Sequence, residues 1–190
     1  TFMGDGATRQ GSLHETLNMA ASWKLPVVFC VENNGYAMGT SVSRSSGHED
    51  IWKLGLGHEI PCGPVDAMNP ENVAHALDEA IDRARSGGGP TFLDLKTYRY
   101  RGHSMSDAQD YKTKEEVEQY QSIDPIKQVK KILLDNKYAT EDDIKEMDNR
   151  VKDRVKECEK FADESAYPEI NVMYDVVYEQ KDYPFIPHKL

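Results

Sequence analysis

Two short apolar runs, each closed by a compact polar motif, constrain this chain more than any other feature. Thr1-Phe2-Met3 runs into Gly4-Asp5-Gly6, and Val27-Val28-Phe29-Cys30-Val31 runs through Glu32 into Asn33-Asn34, with 26 residues separating the two motifs. Between them, Gly11 to Trp23 carries Leu13, Leu17, Ala20 and Ala21 at helical spacing. The β-branched and aromatic run Val27 to Glu32 does not alternate, which predicts a strand covered on both faces; Thr1 to Met3 is the tail of another buried strand. Two parallel strands joined through a helix end on one edge of their sheet, where ligands of α/β folds bind. An aspartate carboxylate and an asparagine carbonyl meeting at that edge are hard oxygen donors, suited to a magnesium ion that also holds phosphate oxygens. Glycines on both sides of Asp5 let backbone N–H groups approach such phosphates. Asp5 alone would serve equally as a helix N-cap; its pairing with Asn34 across two strand ends is what argues for a metal.

The rest of the chain extends the pattern. Gly35 to Glu49, polar and rich in Ser and Gly, predicts a loop, and Glu59 to Val65 is a weak strand candidate broken by Pro61, Gly63 and Pro64. Asn69-Pro70-Glu71 combines a cap residue, a first-turn proline and an acid, and so starts a helix whose apolar stripe lasts to about Arg85. Gly87-Gly88-Gly89-Pro90 ends it, Thr91 to Thr97 is a third strand, and Tyr98 to Tyr111 is a second long polar loop. A helix is expected after Pro125, and Thr140 with Asp143 resembles a capping box opening a long one. The tail, from Tyr174 to Tyr183-Pro184-Phe185-Ile186-Pro187, has too much proline for regular structure and enough aromatics to dock on a neighbour. Alternating strands and helices followed by helices alone predict the α/β class: a parallel sheet flanked by helices over residues 1–111, and a C-terminal helical extension over 112–190.

Composition narrows the function classes. A net charge of −10 argues against nucleic-acid binding, and no apolar run reaches membrane-spanning length. Cys30, Cys62 and Cys158 are odd in number and widely spaced, which favours a reducing compartment over a disulfide framework or a zinc site. The chain opens inside a strand without an initiator methionine, as expected of the C-terminal part of a longer polypeptide.

Three stretches carry a resemblance. Asp5-Gly6-Ala7 with Gln10-Gly11 and Glu15, then Glu32-Asn33-Asn34-Gly35-Tyr36-Ala37-Met38-Gly39-Thr40-Ser41, then Thr97-Tyr98-Arg99-Tyr100-Arg101-Gly102-His103-Ser104-Met105-Ser106-Asp107 are similar to the E1 alpha subunits of thiamine diphosphate (ThDP)-dependent 2-oxo acid dehydrogenases, and most to the pyruvate type. Likeness runs in order over nearly the whole chain. A strand followed by GDG also occurs in phosphatases of the haloacid dehalogenase type, but those carry a second aspartate where Arg9 and Gln10 stand here.

The resemblance implies the ThDP-binding fold, with ThDP and Mg2+ as cofactors. It implies Asp5, Asn34 and the backbone carbonyl of Tyr36 as metal ligands, and Asp5, Gly6, Ala7, Asn34, Tyr36 and His103 around the cofactor. His103 is the implied catalytic residue, since an imidazole exchanges protons near neutral pH. Implied partners are an E1 beta subunit in an α2β2 heterotetramer, the lipoyl domain of the E2 acyltransferase, and pyruvate; neither nucleic acid nor membrane is among them. Branched-chain 2-oxo acid or acetoin dehydrogenase is the alternative within the family, and a non-catalytic scaffold the alternative outside it. Serines matching Ser41 and Ser104 are kinase targets in eukaryotic relatives; here they are read as loop-ordering residues. That Ser104 loop is one residue shorter than the eukaryotic pattern, with Asp110-Tyr111 where a further serine stands there, and this with the unpaired thiols points to bacterial cytoplasm rather than the mitochondrial matrix.

Overall fold

The computed structural model describes residues 1–175, and these fall into two compact units, Thr1–Tyr138 and a second beginning at Ala139. The first is built on a sheet whose strands are β1 (Phe2–Gly4), β2 (Val28–Asn33), β5 (Cys62–Asp66) and β6 (Thr91–Lys96). They lie in the order β1-β2-β6-β5, and every neighbouring pair is parallel. Between β2 and β5 the chain makes a small hairpin, β3 (Tyr36–Ala37) with β4 (Thr40–Ser41).

The helices complete the layers: α1 (Gly11–Ser22), one turn α2 (Val42–Ser45), α3 (Pro70–Arg85), α4 (Lys114–Ser122) and α5 (Pro125–Asp135) in the first unit, then α6 (Glu141–Glu164) and α7 (Val172–Asp175) in the second. Two 3-10 segments, Asp5–Arg9 and Ile51–His58, follow β1 and precede β5.

Both faces of β2 and β6 are covered, as their unbroken apolar runs require. Phe29 and Val31 point to one side and pack with Phe92, Leu13, Leu17, Ala20 and Ile51. Cys30 points to the other side and packs with Leu93, Leu95 and Ala80 of α3. Burying that apolar surface is the main stabilising term of the unit. Capping fixes the helix starts: the Asn69 side chain accepts from Glu71 N (2.9 Å), and Thr140 and Asp143 form the reciprocal capping box at α6.

Several local expectations differ from what is found. Phe2 is 66 % exposed, because β1 is an edge strand of the four and not a buried one. The segment Gly35 to Glu49 holds the β3–β4 hairpin and α2 rather than loop alone. The weak strand candidate forms β5 at the opposite edge, where exposed Pro64 needs no ladder partner for its missing N–H. Helix α4 is announced by Thr113, whose hydroxyl accepts from Glu116 N (3.1 Å), a Thr-x-x-Glu signal that an apolar stripe does not reveal. Of the aromatic tail, everything past Asp175 lies outside the described residues.

Candidate functional site

Parallel pairing brings the two polar motifs together. Gly4, the last residue of β1, is paired with Glu32, one residue before the end of β2. Asp5 and Asn34 therefore leave adjacent strands at the same C-terminal edge. Asp5 opens the Asp5–Arg9 turn and is only 2 % exposed. Burial raises its carboxyl pKa above the usual carboxylate value; its own backbone N–H and the positive fields of Arg9 and Arg99 act against that rise without cancelling it. Loss of water, rather than a lack of nearby cations, is what raises it.

Gly6 packs against the hairpin so closely that an added Cβ would lie 2.6 Å from Ala37 Cβ. Ala7, next in the turn, is exposed. Asn34 Oδ1 accepts from Tyr36 N (3.3 Å), which curls the chain out of β2. The Tyr36 carbonyl accepts from Arg99 Nη1 (3.3 Å), and its phenol donates to Glu116 (3.1 Å to Oε1). Asn33, buried, donates to Asp94 Oδ1 (2.9 Å) and accepts from Gly35 N (3.2 Å), locking the turn to β6. Lys96 Nζ lies 3.0 Å from the other oxygen of Asp94, so that fully buried carboxylate is matched within the sheet.

The loop after β6 returns over this edge and is clamped to it. Arg99 Nη2 donates to the Met38 carbonyl (2.7 Å) and to the Tyr111 phenol (2.9 Å), and Tyr111 donates in turn to Asp107 Oδ2 (2.6 Å). Asp107 also accepts from the backbone N–H of His103 (2.7 Å) and of Gln109 (2.9 Å). These donors, the Tyr111 phenol foremost, hold its pKa down to about 2. Lys112 sits among the rings of Tyr36, Tyr98 and Tyr111, 5.5, 4.9 and 5.7 Å from their centroids, and donates to the carbonyls of Arg99 and Arg101. Burial, helped by Arg99, lowers its pKa.

Asp5, Gly6, Asn34 and Tyr36 thus share one edge. His103 is tied to the clamp through its backbone, while its side chain is exposed, as are Ser104 and the wholly exposed Met105. The clamp residues Arg99, Tyr111, Lys112 and Glu116 have no signal in spacing. Only the density of tyrosines and cations from 98 to 112 hints at them. Beside this edge a cleft of about 430 Å³ opens at the ends of β2, β5 and β6, lined by Asn34, Glu49, Lys96, Thr97, Tyr98 and Glu116 among others. No group of three or more His, Cys, Asp or Glu able to hold a metal occurs among the described residues.

The family described as Dehydrogenase E1 component matches residues 1–171. The chain belongs to that family. It is 48 % identical over 178 residues to the pyruvate dehydrogenase E1 component subunit alpha of Rickettsia felis, covering 94 % of this chain and 55 % of the relative. Against the protein of that name from Rhizobium meliloti the identity is 49 % over 174 residues, 91 % of this chain and 50 % of the relative. Against that of Zymomonas mobilis it is 42 % over 174 residues, 91 % and 49 %. The chain spans about half the length of the curated relatives it matches. A parallel sheet flanked by helices is the α/β architecture found in it, and no helix of the described residues is long and apolar enough to cross a membrane.

Proposed function

We propose that this E1 chain works as the alpha subunit of a pyruvate dehydrogenase E1 component, in the ThDP-dependent oxidative decarboxylation of pyruvate with acetyl transfer to the lipoyl group of an E2 acyltransferase. The observation that carries the reading is the register of β1 on β2, which sets Asp5 and Asn34 at one strand edge beside the Tyr36 turn. The names and identities of the relatives support pyruvate as the substrate.

The residues fit the cofactor's anchoring half. Asp5 carboxylate, Asn34 amide oxygen and Tyr36 carbonyl are hard oxygens of the kind Mg2+ selects, and buried Asp5 is the charged one of the three. The absence of a side chain at Gly6 leaves the turn pressed to the hairpin, with the backbone N–H groups of Gly6 and Ala7 assigned to the diphosphate. ThDP, when bound, supplies a nucleophilic carbon and an electron sink for decarboxylation. This chain's part is to hold the anionic end: Asp5, Asn34 and the Tyr36 carbonyl would hold the metal, and the Arg99–Tyr111–Asp107 clamp ties the loop after β6 to the hairpin beside them. The His103 imidazole, carried on that loop, moves a proton during acyl transfer. A beta subunit completes the centre in an α2β2 heterotetramer, and the unpaired thiols support bacterial cytoplasm as its compartment.

The test is turnover by the complex reconstituted with its beta subunit, comparing pyruvate with 2-oxoisovalerate. Preference for pyruvate that Asp5→Ala abolishes is the expected result; preference for the branched acid would reassign the substrate, and undiminished Asp5→Ala activity would return the chain to the scaffold class.

A further inference from the structure

The charges around Asp5 are unbalanced in a way that bears on how a metal is taken up. Arg9 ends the turn that Asp5 begins, and its Nε and Nη2 are withdrawn from water without an acceptor. Those two nitrogens form one edge of the guanidinium fork, the edge that pairs bidentately with an oxyanion. Arg99, on the loop after β6, donates to the Tyr36 carbonyl at the same edge. Both fields act on Asp5. The Asp94 carboxylate acts on Asp5 less than either arginine does, with Lys96 lying 3.0 Å from one of its oxygens. Two permanent positive charges therefore act on the Asp5 carboxylate, beside two neutral oxygens, Asn34 Oδ1 and the Tyr36 carbonyl, which already accept hydrogen bonds from Tyr36 N and Arg99.

A bare divalent cation entering that edge is repelled by both guanidinium groups. A cation arriving with a diphosphate, whose negative charges outnumber the metal's, is not, and the free edge of Arg9 gains the acceptor it lacks. We propose that Arg9, with Arg99, makes the metal oxygens of Asp5, Asn34 and Tyr36 unreceptive to a divalent cation alone and receptive to a cation–diphosphate pair. Arg9 is thus a positioning residue that couples the two binding events, and by linkage the coupling is reciprocal. This rests on the assignment of Asp5 and Asn34 to the metal, and it adds the order and the residue that imposes it.

The experiment uses the complete protein stripped of metal, with Mn2+ replacing Mg2+ and inorganic pyrophosphate as the anion. Water-proton relaxation distinguishes protein-bound Mn2+ from the metal–pyrophosphate complex in solution. Wild type is expected to bind Mn2+ weakly alone and at least roughly tenfold more tightly with pyrophosphate. Arg9→Gln should tighten binding of Mn2+ alone on the order of tenfold, as expected when one unit charge leaves a partly buried site, and shrink the pyrophosphate gain by the same factor. Arg9→Lys, which keeps the charge, should behave as wild type. The inference is overturned if Arg9→Gln changes neither quantity, or if Arg9→Gln and Arg9→Lys shift them alike, since the effect would then be one of shape. Asp5→Asn separates the two levels: if it binds Mn2+ and pyrophosphate as wild type does, the metal assignment fails and takes the inference with it. If Asp5→Asn loses binding while Arg9→Gln is unaltered, the assignment stands and the coupling by Arg9 alone is wrong.

Discussion

Gly6 shows how little room this site has at the scale of one residue. Its backbone is not in the left-handed region, so conformation does not demand glycine there; space does, because a methyl group would meet Ala37 Cβ at 2.6 Å. Gly6→Ala is expected to destabilise the first unit by about 1–3 kcal/mol through overpacking, seen as a lower urea midpoint. Ala37→Gly removes the opposing methyl, so the double variant should be more stable than the two single losses added together. Additive losses would mean that the turn and the hairpin relax apart at no cost. Asp5, one residue earlier, is governed by charge instead: it is buried, and its neighbours soften the loss of water without replacing it. The same few residues thus set the width of the edge and the charge it carries.

At the level of elements, the decisive object is the clamp between the β3–β4 hairpin and the loop that follows β6. Tyr111 joins its halves, accepting from Arg99 and donating to Asp107. Tyr111→Phe leaves a guanidinium N–H and a carboxylate oxygen without that partner. Amides of His103 and Gln109 should then lose several-fold of their hydrogen-exchange protection, while the sheet amides keep theirs. Unchanged protection would mean that Lys112 alone holds the loop.

The pH dependence of the clamp has a definite sign. Asp107 titrates near 2 in the folded chain, below the roughly 3.9 of a free aspartate, so its contribution is complete above about 4 and is lost as the pH falls towards 2. Protection at His103 and Gln109 should therefore be equal at pH 8 and pH 5. A fall between those values would assign the clamp to another titrating group.

For the whole molecule, the site is one edge of a sheet and not an enclosed chamber. The chain provides oxygens, cations and a loop, and under the proposed function the remaining catalytic groups come from a beta subunit. Isolated chain is accordingly expected to bind ThDP poorly and to turn over no pyruvate, with activity appearing on titration with the beta subunit and saturating at equal amounts. Full activity of the chain alone would refute that division of labour.

The sequence by itself determined whatever depends on near neighbours. The unbroken runs of β2 and β6, the Asn69-Pro70 start of α3, the capping box of α6 and the strand-end positions of Asp5 and Asn34 are written in spacings of a few residues, because strand period, helix period and caps are local properties. Resemblance added the family, which residues 1–171 match. Tertiary structure alone decided that β5 lies at an edge, that Phe2 is exposed, and that the sheet runs β1-β2-β6-β5. It also joined Asn33 to Asp94, Tyr36 to Arg99 and Tyr36 to Glu116, across 61, 63 and 80 residues. Contacts at such separations are chosen by which apolar faces can be buried together, and that choice is made by the packed sheet as a whole rather than by any segment of the chain.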